Sequence, residues 1–203
     1  MGFLEDNCTF SPLTGDVLLT ANHFSCGHPD LDDFFLNDSV KYSKQYLGKS
    51  YCFLLDNDPK EIICAFTVSN DSIRVGTLPK KTRNKVNRRI PYVKQYNSYP
   101  AVLIGRLGVN KAYRGKKIGC ELMDFIKAWF IDENNKTGCR FILVDAYNEE
   151  EPLKYYNKNS FLFLYETEDE EREFRNIDKD ERLHTRLMSF DLIVLAPKYD
   201  LKV

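Results

Sequence analysis

The chain has 203 residues, 43% of them apolar, which is enough to build one globular domain, residues 1–203, around a real core. Its 14 Phe and 12 Tyr supply large buried surfaces and exclude a disordered chain. With 29 Lys and Arg against 30 Asp and Glu the net charge is −1, so no long-range field draws in nucleic acid or an anionic membrane, and such binding needs a local patch.

The first strand is expected around Val17 to Leu19. Cys26-Gly27-His28-Pro29-Asp30 then reads as a turn feeding a helix, with Pro29 tolerated in the first turn and acids near the positive end. Leu31, Phe34, Phe35, Tyr42 and Tyr46 fall close to helical spacing and form its apolar stripe. Ser50 to Leu55 and Glu61 to Val68, separated by Asp56-Asn57-Asp58-Pro59-Lys60, carry a hairpin signal. The segment from Ser69 to Pro100 has no clean period. It holds Tyr92, Tyr96 and Tyr99 and a basic run, Lys80, Lys81, Arg83, Lys85, Arg88 and Arg89, which reads first as a solvated surface loop.

Ala101 to Val109 is apolar enough for a central strand, interrupted by Gly105 and Gly108 as at a bulge or where a ligand meets backbone. Ile118, Leu122, Phe125, Ile126, Trp129 and Phe130 recur at three- and four-residue steps, which predicts a helix from about Lys117 to Asn134. Phe141 to Ala146 is the next buried strand, and Leu153 to Asn159 a short helix starting at Pro152. Phe161 to Tyr165 and Leu187 to Leu195 are the last two strands. Between them, about 166–186 is so densely charged that it reads as an exposed loop or arm.

The six cysteines, Cys8, Cys26, Cys52, Cys64, Cys120 and Cys139, form no CxxC pair, and no secretion signal precedes them; reduced thiols in a cytoplasmic protein are expected. Cys52 and Cys64 sit in strand-like runs as small hydrophobes. His23 and His28 lie near Cys26, but no fourth ligand follows at a workable spacing, so no metal site is expected. No apolar run reaches the roughly 18 residues of a membrane helix.

A strand, a basic glycine-bearing turn and a helix in that order make an anion site. The first backbone N–H groups of the helix have no intrahelical partner, and the macrodipole is positive there. Arg114, Lys116 and Lys117 add charge at the same place. A pyrophosphate fits, with each charge-assisted hydrogen bond contributing about 1.5–3 kcal/mol. The turn is neither a Walker loop nor a dinucleotide fingerprint.

Arg106-Leu107-Gly108-Val109-Asn110 followed by Tyr113-Arg114-Gly115-Lys116-Lys117-Ile118-Gly119 resembles the signature of the GNAT superfamily of N-acetyltransferases, whose acetyl-CoA motif is Arg/Gln-x-x-Gly-x-Gly/Ala. Lys117 replaces the first motif glycine. Downstream, Asp145-Ala146-Tyr147-Asn148 and Tyr155-Tyr156-Asn157-Lys158-Asn159-Ser160-Phe161 resembles the family's Asn…Phe-Tyr-Glu-Lys-x-Gly-Phe segment, with Ser160 where the pattern has glycine. Phe24-Ser25-Cys26-Gly27-His28-Pro29-Asp30-Leu31-Asp32-Asp33-Phe34-Phe35 is similar to the start of one GNAT branch, which includes toxins that acetylate the amino group of aminoacylated tRNA.

The resemblance implies an α/β (α+β) fold: a mixed, mostly antiparallel sheet, splayed at the Leu107 strand, with helices on both faces. It implies acetyl-CoA as cofactor. Leu107, Gly108 and Val109 would pair with the pantetheine arm; Arg114, Gly115, Lys116, Lys117, Ile118, Gly119 and Cys120 form the pyrophosphate turn, with N–H donors at Lys117, Gly119 and Cys120; Asn148 would contact pantetheine and Tyr156 would stand near the sulfur. Tyr155 is its control. The main acceptor expectation is a primary amine of a small molecule or protein. The alternatives are aminoacyl-tRNA, bound through Lys80 to Arg89, and a non-catalytic acetyl-CoA-binding module. Exposed apolar surface would let two copies pair as a homodimer.

Overall fold

The computed structural model describes residues 2–91 and 96–196; Tyr92 of the tyrosine series lies outside the described residues. The chain falls into two compact units, Met1–Ser69 with Ile104–Ala128 and Asn70–Leu103 with Trp129–Val203. The seven strands are β1 (Cys8–Pro12), β2 (Lys49–Leu55), β3 (Asp58–Arg74), β4 (Ser98–Val109), β5 (Phe141–Tyr147), β6 (Leu162–Phe163) and β7 (Thr185–Asp191). They follow the order β1-β2-β3-β4-β5-β7-β6 in one open, mostly antiparallel sheet, which is the fold class expected.

In the first unit, β1 pairs antiparallel with β2, and β2 with β3. The predicted hairpin is therefore present, with the strands joined by a tighter turn because β3 already begins at Asp58. Helix α1 (Phe3–Asn7) precedes β1. The strand expected around Val17 to Leu19 is instead the short helix α2 (Gly15–Thr20), whose Val17 amide donates to the Thr14 hydroxyl at 3.3 Å. Thr14 followed by Asp16 is an N-cap signal that outweighs the β-branched Val17.

Helices α3 (Pro29–Asp33) and α4 (Ser39–Lys44) flank a π-turn over Phe34–Asp38, so the predicted helix exists but carries one widened turn. Phe35 is buried at its centre against Phe24, with ring centroids 5.7 Å apart. Helix α6 (Ile118–Ile131) buries Ile118, Leu122, Ile126 and Phe130 of the predicted stripe, together with Met123. Cys52 and Cys64 are buried among the strands; burial pushes the Cys52 thiol up to about 12, as befits an inert small hydrophobe.

In the second unit, β7 pairs antiparallel with both β5 and β6. The strand expected over Phe161 to Tyr165 is only two residues long, and β7 gives way to a 3-10 turn at Leu192–Val194. The basic run is not a loop. It forms helix α5 (Lys80–Asn87), which buries Thr82 and Val86, one helical turn apart. Helix α7 (Glu150–Lys158) lies where a short helix was expected.

The charged stretch at 166–186 also departs from expectation. It contains helix α8 (Glu168–Arg175), capped by the Thr167 hydroxyl, which accepts from the Glu170 amide at 3.2 Å. Glu171 is fully buried. Its carboxylate accepts from Arg186 Nε at 2.7 Å, Arg175 Nη2 at 2.6 Å and the Leu187 amide at 2.7 Å. Arg175 continues to Asp145 at 2.7 Å, so the network joins α8 to β5 and β7. Glu171→Ala removes the common acceptor and leaves Arg186, itself buried, without its carboxylate; thermal melts should show a loss of about 3–5 kcal/mol. The exposed Glu181→Ala should lie within about 0.5 kcal/mol of the parent.

Candidate active site

Strand β4 ends at Val109 and is followed by Asn110, a buried polar residue to which the motif assigns no role. Its side-chain amide donates to Glu61 Oε1 at 3.0 Å and the Ile62 carbonyl at 2.9 Å, while its Oδ1 accepts from the Ala112 amide at 3.0 Å. Asn110 thus stops the strand and starts the 3-10 turn Lys111–Tyr113. An Asn directly after an apolar run was the available signal.

The chain then reverses through two left-handed residues, Gly115 at φ +81° and Lys117 at φ +62°. Lys117 occupies the position where the family motif has glycine, and its φ explains why glycine suits that place. Ser160, at the second departure from the family pattern, is likewise left-handed at φ +65°. Both substitutions preserve the backbone path and add local strain.

Among the described residues, no hydrogen bond engages the amides of Gly115, Lys116, Lys117 or Ile118. The Cys120 amide donates to the Lys117 carbonyl at 2.9 Å, as does the Glu121 amide at 3.2 Å, so the turn closes on itself there and Cys120 is not an open donor. The amides without internal partners run from Gly115 to Ile118, the first residue of α6, and Lys117 of the expected donors falls among them. Lys117 is exposed; the Lys116 ammonium sits over the Tyr113 ring at 4.8 Å.

Arg114 does not extend freely toward a ligand. Its guanidinium donates to the Cys26 carbonyl. Asp32 holds the same segment from the other side, its carboxylate accepting from the Cys26 amide at 2.6 Å and the Ser25 hydroxyl at 2.7 Å. The Ser25 carbonyl in turn accepts from the Lys111 amide at 2.9 Å. These hydrogen bonds draw the Asp32 carboxyl below its ordinary range, against the opposing effect of burial. The amino-terminal motif Ser25-Cys26-Gly27 is therefore clasped to the turn that follows β4. Gly108 completes the clasp: a Cβ there would stand 2.9 Å from Cys26 Cβ and 3.3 Å from Phe35, so glycine is required by packing. Gly105 has open space around it.

Leu107 to Val109 and Arg114 to Cys120 all belong to the first unit, whereas Asn148 and Tyr156 belong to the second. Asn148 follows β5. Its side-chain amide donates to Glu168 Oε1 at 3.0 Å and the Leu183 carbonyl at 2.9 Å, leaving Oδ1 as its remaining polar atom. Tyr156, on α7, is half-buried, packed edge-on against Phe161 at 5.5 Å and Tyr155 at 5.0 Å. Burial pushes its phenol pKa well up from 10, so the neutral O–H persists across the physiological range. Among the described residues no group of three or more His, Cys, Asp or Glu could hold a metal ion, and no helix is long and apolar enough to cross a membrane.

No protein-family model matches the sequence. Among solved structures, a Tyr-to-Phe mutant of KacT is similar at a TM-score of 0.64 and 17% identity, over 94% of this chain and 98% of that one. AtaT complexed with acetyl-methionyl-tRNAfMet gives 0.63 and 18%, over 93% and 96%. AtaTR bound with AcCoA gives 0.61 and 17%, over 94% and 96%. The chain shares the fold of these proteins across nearly its whole length.

The strain at Lys117 is measurable. Lys117→Gly exchanges about 1–2 kcal/mol of left-handed strain for the smaller entropic cost of glycine. A rise of about 2 °C in melting temperature is expected.

Proposed function

We propose that the chain is an acetyl-CoA-dependent N-acetyltransferase whose acceptor is the α-amine of an aminoacyl-tRNA. The observation that carries the reading is the turn from β4 into α6, where four successive amides without internal partners meet an exposed lysine at the positive end of a helix. That donor set suits a diphosphate without a metal. The amides of Gly115 to Ile118, with Gly119, hold the pyrophosphate; the backbone of Leu107 to Val109 pairs with the pantetheine arm; Asn148 Oδ1 accepts from one of its amides.

The cofactor supplies the acetyl group as a thioester. Attack by the neutral amine forms the C–N bond as the C–S bond breaks. Tyr156 holds the proton that the leaving sulfur takes, and the amine gives up its own to water. The acceptor first expected, an amine of a small molecule or protein, is less well supported than aminoacyl-tRNA. Among proteins sharing the fold, one was solved with acetyl-methionyl-tRNAfMet, and the amino-terminal segment resembles the start of the toxin-containing branch. Chemistry agrees: an α-amine with a pKa near 8 is substantially neutral at physiological pH, whereas a lysine near 10.4 needs a base, and none is assigned here. The basic run Lys80 to Arg89, on α5 and directly after it, is the proposed contact for tRNA phosphates.

Calorimetry should detect acetyl-CoA binding in the micromolar range; absence of heat overturns the cofactor assignment. Tyr156→Phe should lower kcat by about 10²-fold with little change in KM for acetyl-CoA, while Tyr155→Phe keeps the parent rate. Because the phenol pKa is raised, no activity should be lost through Tyr156 ionisation below about pH 10. Binding to tRNA should weaken steeply with salt, and reversing the charge of Lys80 and Arg83 together should flatten that dependence.

A further inference from the structure

Helix α1 touches the turn before α6 through contacts that the chemistry proposed above does not use, all of them within the first unit. Leu4 is buried and anchors this short helix. Its amide donates to Glu121 Oε2 at 2.9 Å. Gly2 lies so close to the same carboxylate that a Cβ there would stand 2.8 Å from Glu121 Cδ and push the group aside. Between them in sequence, Phe3 packs its ring against Tyr113, with centroids 6.0 Å apart and planes tilted by 50°. The Lys116 ammonium sits over both rings, 4.8 Å from the Tyr113 centroid and 5.9 Å from that of Phe3.

Both sets of contacts bear on charge at the amide row from Gly115 to Ile118. Glu121 is the acid in the first turn of α6, where the helix dipole favours a negative group. A carboxylate free to swing there competes with a diphosphate for the same donors; the Leu4 amide ties it to α1 instead. Lys116 carries the opposite charge and is exposed. An exposed lysine surrenders rotamer freedom when it grips a ligand, and a cation already seated on two rings has less to surrender.

We infer that Phe3 is a positioning residue of the cofactor site. Helix α1 supplies one of the two rings that hold the Lys116 ammonium at the turn, and Lys116 meets the diphosphate of acetyl-CoA from that seat. The inference rests on the cofactor reading above and adds to it a segment more than 100 residues away in sequence, outside the motif. The ring itself is required, because an aliphatic side chain can fill the space against Tyr113 but offers the cation no π face.

Calorimetry with acetyl-CoA on the full chain tests this without an activity assay. Phe3→Leu should weaken binding by about fivefold, the share of one exposed cation–π contact, and Phe3→Tyr should bind as the parent does. Lys116→Ala should cost about tenfold or more, and the double variant Phe3→Leu with Lys116→Ala should bind no more weakly than Lys116→Ala alone, since Phe3 acts through the lysine. The loss in Phe3→Leu should shrink as salt is raised, and it should be the same size with 3′-dephospho-acetyl-CoA, which keeps the diphosphate. Equal binding of Phe3→Leu and the parent, losses that add in the double variant, failure of Phe3→Tyr to restore affinity, a loss indifferent to salt, or a loss that disappears with the dephospho cofactor each overturns the inference. A parent chain that binds no acetyl-CoA overturns the cofactor reading and this inference with it; a parent that binds, with Phe3→Leu equal to it, overturns this inference alone.

Discussion

The step from β4 into α6 constrains the first unit more than any other feature. An extended strand must stop, reverse and enter a helix within the few residues between Asn110 and Ile118, and only left-handed backbone at Gly115 and Lys117 permits it. Asn110 fixes the point of departure by satisfying three backbone and side-chain partners at once. The reversal leaves a row of amides turned away from the protein's own acceptors. A helix start of this kind is costly unless solvent or a ligand completes it, which links local geometry directly to anion binding.

The amino-terminal segment acquires its meaning from the same turn. Ser25, Cys26 and Gly27 are held between the Asp32 carboxylate and the Arg114 guanidinium, so a stretch far away in sequence becomes part of the support of the candidate cofactor site. Arg114, which the motif offers as a phosphate contact, is a positioning residue in this arrangement. Its charge still lies beside the turn, but its hydrogen-bonding capacity is partly committed to protein backbone.

In the second unit, buried charge replaces part of the hydrophobic core. Glu171 accepts two arginines and a backbone amide with no exposure to solvent, and that geometry ties a helix of eight residues, only one of them buried, to the sheet. A charged helix of this composition has little apolar face with which to dock; ion pairing and cap formation do the docking instead.

Much of this was legible in the residues. Helix α6 showed itself through its three- and four-residue spacing, β2, β3, β4 and β5 through apolar runs bounded by turn residues, and the turn before α6 through the glycine-bearing run Arg114 to Gly119. These signals are local: each depends on a periodicity or a backbone requirement that neighbouring residues carry themselves. Val17 to Leu19 and the charged 166–186 depart from expectation because the caps at Thr14 and at Thr167 start helices there in spite of the local hydrophobicity pattern. What only tertiary structure decided was the fate of individual polar groups. Sequence cannot say that Arg114 reaches Cys26, that the Cys120 amide turns back to Lys117, that Asn148 commits both amide hydrogens to Glu168 and Leu183, or that one glutamate among many is sealed from water. Such pairings join residues separated by many positions, and their partners are chosen by where the folded backbone brings donors and acceptors within reach.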